Sequence, residues 1–457
     1  MNIDDLDWQA RRYGGISPNL VSLLLEQGEL ELLIRAAAER GEWFCAEAAV
    51  RELCEVGAFE RALAVLEPFV AIGWGPARWA NAEVMRQAGR AEEALELVRP
   101  DEAGRQSQHV CRNFAELLVK AGRVDEAITL LTPHIDGWLM AVLVDLTEGQ
   151  DRDERVLELI APLAQRAANA RAEGRWHDDA WEAQQLQAQV LERAGRPEEA
   201  IRVLGESIAA KRYLEHNTPT AYAELLARHG RIEELRELVD GDHTHVALPC
   251  YAHALESHGR ADEAEAVLRK FIASTEHPER YYWPLIDLLA RQGRIDEAVE
   301  VGRATFDGHD ACLLDAVIRL LHDAGRFEDA LALLDERTAE FVEEHADWVG
   351  SNRLCLLGEA GRLDEALAYA ETLPVDQYRL AETTAWLLGE AGRADEAIDL
   401  LRAGGIETAR GLAEFLIRQG RADEAIAALP SLAVLHEDSR RQDAALQAAG
   451  NPDDPWQ

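Results

Sequence analysis

Leu289-Ala290-Arg291-Gln292-Gly293-Arg294-Ile295-Asp296-Glu297-Ala298 is the stretch on which the fold turns. The residues before Gly293 have the composition of a helical run, and a glycine after them supplies the left-handed residue that ends a helix with least strain. Asp296 and Glu297 then fall in the first turn of a following helix, where negative charge complements the helix dipole. The stretch predicts a helix, a tight turn at Gly293 and a second helix.

The same phrase recurs along the chain. Gly89-Arg90, Gly122-Arg123, Gly195-Arg196, Gly230-Arg231, Gly259-Arg260, Gly325-Arg326, Gly361-Arg362, Gly392-Arg393 and Gly420-Arg421 repeat it, and Gly28, Gly57 and Gly149 are weaker copies. All but two of the intervals between neighbouring glycines fall between 28 and 36 residues; the exceptions, 27 and 46, flank Gly149 and together span about two units. A fixed period of this length marks a repeat architecture. Four residues before the glycine stands leucine in eleven of thirteen copies: Leu24, Leu53, Leu118, Leu191, Leu226, Leu255, Leu289, Leu321, Leu357, Leu388 and Leu416. Five residues after it stands alanine in ten: Ala62, Ala94, Ala127, Ala200, Ala264, Ala298, Ala330, Ala366, Ala397 and Ala425. A methyl group at a helix crossing permits close approach and the leucine fills the space beside it, so each unit reads as a helical hairpin. One hairpin cannot bury its apolar face alone, so each is expected to seal its neighbour, with copies distant in sequence held apart.

At these residues the chain resembles the tetratricopeptide repeat, and its turn phrase Gln292-Gly293-Arg294-Ile295-Asp296-Glu297-Ala298 is similar to that of pentatricopeptide repeats. The resemblance covers roughly residues 15 to 435. It implies an all-α, right-handed superhelical α-solenoid of about thirteen helix-turn-helix repeats, with first helices lining a concave groove. The proline that often closes such repeats is patchy here, at Pro68, Pro100, Pro133, Pro374 and Pro430. The expected organisation is an N-terminal segment (1–14), a first repeat block (15–149), an irregular long-helix repeat or bend (150–194), a second block (195–435), and a C-terminal cap with a disordered tail (436–457). Gly149 marks the weakest copy, with Asp145 and Glu154 in place of the leucine and alanine, and residues 153–193 read as two long helices around Gly174.

Composition narrows the function. Hydrophobic residues make up 47% of the 457 and aromatics 6%, a profile of packed helices. A formal charge of −38 opposes approach to phosphate backbones or anionic lipid. Cys45, Cys54, Cys111, Cys250, Cys312 and Cys355 are scattered singly, as suits reduced thiols. The first residues carry Asp4, Asp5 and Asp7 where a signal peptide would be basic, and no apolar run reaches the roughly 18 residues of a membrane span. These features point to the cytoplasm. The Ala-, Arg- and Gly-rich, lysine-poor composition has a bacterial style.

No catalytic residues are expected, because the chain holds no Walker loop, nucleophile elbow or H-E-x-x-H, and its recurrent acidic pairs have a helix-start role. No cofactor is expected. No metal site is expected; His243 and His245 are weak candidates, and a polar interhelical loop explains them. If the tetratricopeptide geometry carries over, groove-facing positions lie thirteen, ten, six, three and two residues before each glycine. Among them are Trp79, Arg112, Trp283, Asp287, Arg319, Trp348, Trp386 and Arg410, expected to hold a protein or peptide. Two alternatives stay open: the tryptophans are hairpin core, and the groove charges pair with one another rather than receive an acidic segment. The lysine and asparagine pattern by which some such grooves clamp a terminal carboxylate is missing. An RNA-binding repeat protein is the rival reading, and a metal-dependent enzyme or sensor near His243 the third. Ten residues before the glycines stand Trp79, Arg112, Thr220, Pro249, Trp283, Asp315, Ser351, Glu382 and Arg410, which is no base code.

Overall fold

The computed structural model describes residues 2–135, 137–173, 182–209, 217–275, 278–303, 311–373 and 378–449. Among these residues are 29 α-helices, two single-turn 3-10 helices and no strand. All thirteen repeat glycines have positive φ, between 64° and 80°, a region open to glycine and strained for other residues. The backbone closes these turns in one recurring way. In twelve of the thirteen turns the amide after the glycine donates to the carbonyl of the residue four before it, as Arg294 N does to Leu289 O at 2.9 Å. The glycine amide donates one turn tighter, Gly293 N to Ala290 O at 2.9 Å. This pair of bonds is the left-handed helix stop that satisfies the otherwise orphaned last carbonyls.

The leucine and the alanine of each copy meet the packing expectation. Every one of the eleven leucines and ten alanines is buried, Leu289 and Ala298 completely. Each buried leucine contributes about 1.5–3 kcal/mol. The arginine of the phrase has its own task. In copy after copy it ion-pairs with the acid three residues on, as Arg260 does with Glu263 at 2.7 Å. Several also reach back one repeat: Arg294 Nη1 lies 2.5 Å from Glu265, Arg326 Nη1 2.5 Å from Asp296, and Arg362 Nη1 2.9 Å from Glu328. The acidic pairs therefore stitch hairpins together as well as facing the helix dipole.

The helices form two compact units, one made of Met1–Arg99 with Phe327–Gln457 and one of Pro100–Arg326. In the second, helix Gln108–Lys120 pairs with Val124–Leu131, Ala183–Arg193 with Pro197–Ala209, Thr244–Ser257 with Ala261–Ser274, and Glu279–Arg291 with Ile295–Arg303. First helices touch in succession, with Thr244–Ser257 between Asn217–Arg228 and Glu279–Arg291. Pro197 opens its helix, as its position in the phrase predicts.

Gly149 closes the irregular copy. Gln150 N donates to Thr147 O at 3.2 Å instead of reaching back to position 145. The end of helix Leu139–Leu146 is held from the next repeat: Arg193 donates to Val144 O at 2.5 Å, to Thr147 Oγ1 at 2.9 Å and to Asp153 Oδ1 at 2.8 Å. Helix Asp153–Ala172 runs 20 residues, whereas helix Ala183–Arg193 runs 11 and is not long; Gly174 lies outside the described residues.

The first unit corrects one expectation. Hairpins at the two ends of the chain touch. Helix Ile3–Arg12, capped by Asn2 whose side chain accepts from Asp5 N, packs on helix Leu432–Ala449, and Pro18–Glu26 packs on Ala409–Arg418. Leu6, Leu20 and Leu24 share one buried cluster with Leu412, Leu416 and Leu429. Arg40 Nη2 donates to the carbonyls of Leu429 and Pro430 at 2.8 and 2.9 Å, Arg12 pairs with Asp443 at 3.2 Å, and His436 stacks on Trp8 with its Nδ1 2.9 Å from Asp5. The helices at the two ends thus cover one another's apolar flank, where the period predicts copies distant in sequence held apart. The physical reason is that a terminal hairpin has no further neighbour to cover its apolar face, and the contact buries Ile16 and Leu432. The tail after Ala449 lies outside the described residues.

Candidate partner-binding face

The first helices of the second unit carry an exposed tryptophan and an adjoining pocket. Trp283 sits on helix Glu279–Arg291 with 48% of its surface exposed. Beside it is a pocket of about 470 Å³ between two successive first helices. Pro249, Ala252 and His253 line it from Thr244–Ser257; Trp283, Pro284, Asp287 and Arg291 line it from Glu279–Arg291. Pro249 and Pro284 both lie inside their helices, where each removes a backbone donor and leaves a rigid apolar ring at the wall. Asp287, one helical turn beyond Trp283, reaches solvent and ion-pairs through Oδ2 with Arg291. Arg291 is held a second time by Glu256 of the preceding hairpin, at 2.8 Å, and Glu256 followed by Asp287 raises its pKa. The pocket is an apolar floor with a carboxylate at its edge.

The other sites fall apart into separate environments. Arg112, exposed on Gln108–Lys120, pairs with Glu116 at 2.8 Å, and its guanidinium lies 6.0 Å from the ring centre of Trp138. Arg319 pairs with Asp315 at 2.8 Å. Trp79, Trp348 and Trp386 belong to the first unit and are half-buried. Trp348 meets Phe341 edge-on at 6.4 Å. The indole of Trp386 fills the space over Gly358, where an added Cβ would come 2.5 Å from its ring. Arg410 donates to the carbonyl of Tyr13 at 3.1 Å, within the contact between the chain ends. Sequence position in the first helix therefore places these residues on comparable turns without giving them a common exposure.

Several arginines of the first helices are paired with acids. Arg228 and His229 both bind Glu192, at 2.7 and 2.8 Å, and the Arg228 hydrogen bond holds that carboxyl below its ordinary value. Arg418 pairs with Glu414 at 2.9 Å. An acidic partner segment finds these guanidinium groups already engaged. His243 precedes helix Thr244–Ser257 and His245 lies in its first turn, and among the described residues no three His, Cys, Asp or Glu side chains gather as a metal-binding group.

Trp138 is the functional candidate that sequence reasoning missed. It stands eleven residues before Gly149, in the one copy without the leucine and alanine, so the register that located the others does not reach it. It is 39% exposed, hydrogen-bonds Gln108 through its indole N–H, and lies 5.4 Å from the His109 ring. Among the described residues of the second unit, Trp138 and Trp283 are the exposed large hydrophobic side chains. No described helix is long and apolar enough to cross a membrane.

Comparison with known proteins agrees with the hairpin. A tetratricopeptide-repeat family model matches residues 75–100, 318–336 and 406–429. The first and last stretches each span a first helix, a glycine turn and a second helix. No curated protein matches the chain. Among solved structures, Naa15/Naa10 bound to HypK-THB is similar at 17% identity, over 84% of this chain and 67% of that one, with a TM-score of 0.37. Yeast Tom70 is similar at 13% identity, over 90% and 96%, with a TM-score of 0.31. The pentatricopeptide protein PPR10 in complex with an 18-nt psaJ RNA element is similar at 15% identity, over 90% and 71%, also at 0.31. Scores this low carry no argument about shape or partner, and the assignment rests on the three matched stretches and the recurring glycine stop. This chain is a tetratricopeptide-like helical-repeat protein.

Proposed function

We propose that the chain is a non-catalytic scaffold that holds a protein or peptide on the first-helix face of its second unit. The observation that carries the reading is Trp283: a half-exposed indole beside an apolar pocket between two successive first helices. A lone exposed indole is ordinary surface, but one that borders an apolar concavity offers an anchoring site, and tryptophan is enriched where partners anchor. The surrounding charges support the same reading. Arg291 is tied to Glu256 and Asp287, so it sets the pocket's geometry without offering a free phosphate-binding cation. With a chain charge of −38, a protein ligand is favoured over RNA. Cytoplasmic residence fits the singly spaced cysteines and is part of the proposal.

The test is affinity capture from the native cell with wild-type protein and Trp283→Ala, each with and without nuclease. The reading expects a protein that survives nuclease and is lost with Trp283→Ala. Capture of RNA that disappears on nuclease treatment and is indifferent to Trp283 would contradict it.

A further inference from the structure

We propose that the Trp283 pocket recognises a basic side chain, a lysine or arginine presented by the partner segment. This rests on the reading of the face as a protein-binding surface and adds the chemistry of the group that enters. Three observations lead to it.

The first is the pocket's own composition. Trp283, Pro284, Pro249 and Ala252 offer apolar walls for a methylene stem, and Asp287 stands at the edge with 59% of its side chain exposed. Among the described residues, Asp287 Oδ1 has no partner, because the ion pair with Arg291 uses Oδ2. Arg291, the one guanidinium in the pocket lining, is shared between Asp287 and the Glu256 carboxylate behind it, and Glu256 also lies 3.9 Å from Nδ1 of the lining His253, so two carboxylates share a single permanent cation. A long basic side chain matches that combination, since it buries its stem and keeps its charge at the rim.

The second is an internal precedent. The protein fills comparable aromatic faces with its own cations: Arg112 lies 6.0 Å from the centre of Trp138, and Arg353 5.5 Å from the centre of Tyr369. Among the described residues Trp283 has neither a ring partner nor a cation over its face. The indole quadrupole attracts a cation there as it does at Trp138. Of the two exposed tryptophans in the unit, one is already engaged by arginine and the other is open.

The third is the whole-molecule field. A chain with a formal charge of −38 concentrates cationic segments near its surface and repels acidic ones, before any specific contact forms. A neutral apolar side chain would fit the walls but would gain nothing from Asp287.

The test uses the full-length protein and small probes. The indole N–H resonance of Trp283 is identified by its disappearance in Trp283→Phe, then followed during titration with the acetyl-amides of lysine, arginine, norleucine and glutamate. Lysine and arginine should shift it and bind about two- to fivefold more tightly than norleucine, with glutamate weakest. Asp287→Asn should remove that preference, and raising the salt concentration should weaken it. Equal shifts from norleucine and lysine, or a preference unchanged in Asp287→Asn, would overturn the inference. A random-peptide display selection against wild type and Trp283→Ala separates this from failure of the scaffold reading. Enriched peptides that depend on Trp283 and carry an anchoring lysine or arginine agree with both. Trp283-dependent peptides with an apolar anchor keep the scaffold reading and sink the basic-side-chain claim, and no Trp283-dependent enrichment sinks both.

Discussion

Trp386 and Trp283 stand on first helices of similar hairpins, six and ten residues before their glycines, and the two side chains have opposite fates. Over Trp386 the preceding hairpin presents Gly358, whose missing side chain admits the indole against backbone. Beside Trp283 it presents Pro249, Ala252 and His253, which build a wall without covering the ring. The difference lies in the neighbour. A helical-repeat hairpin decides where a residue's Cα goes, but the next hairpin's small or bulky residue decides whether its side chain is core or surface. In this chain one tryptophan is packed between hairpins and the other is left half-exposed.

That contrast can be broken by substitution. Trp386→Ala should cost about 2 kcal/mol, part of the 3–5 kcal/mol of a fully buried aromatic because the ring is half-buried. Thermal or denaturant unfolding checks it, and an unchanged midpoint would show that Gly358 does not receive the ring. Replacing the turn glycines sharpens the account of the frame itself. Gly293→Ala and Gly149→Ala should each cost about 1 kcal/mol, since both hold positive φ with open space around the Cβ position. Equal losses would assign the cost to φ alone; a much larger loss at Gly293 would assign extra strength to its intact pair of stop bonds. Trp283→Ala should leave the unfolding midpoint within about 0.5 kcal/mol of wild type, as expected for an exposed position, while removing partner binding.

The smallest effect concerns pH. Arg228 holds the Glu192 carboxyl below its ordinary value, so the stability it contributes is present above that value, near 4.5, and is lost as pH falls through the lowered folded-state value. Glu192→Gln should therefore destabilise slightly at neutral pH and flatten the acid limb of the stability curve. A variant with the wild-type acid limb would show that the Arg228–Glu192–His229 tie between hairpins carries no net stability.

How much was readable from the sequence follows the same division. The glycine stops, the leucine at their carbonyls and the alanine at the crossing are local, and the phrase around Gly293 states all three within ten residues. The arginine's link to the previous hairpin, as from Arg294 to Glu265, needs the period as well as the phrase. Trp138 was out of reach because its copy lost the leucine and alanine that fix register. The contact between the chain ends was out of reach for a different reason. Asp5 and His436, or Arg40 and Leu429, are brought together by how hairpins stack, and no short-range pattern encodes that meeting. Exposure of the groove candidates fell between these cases, since their turns were predictable and their coverings were not.

The most direct measurement is photo-crosslinking in the native cell from benzoylphenylalanine placed at position 283 and, in a separate protein, at position 386. The account predicts that position 283 captures a protein partner through a basic segment, and that position 386 yields crosslinks within the chain only. Capture of nucleic acid from position 283, or equal capture of partner from both positions, would contradict it.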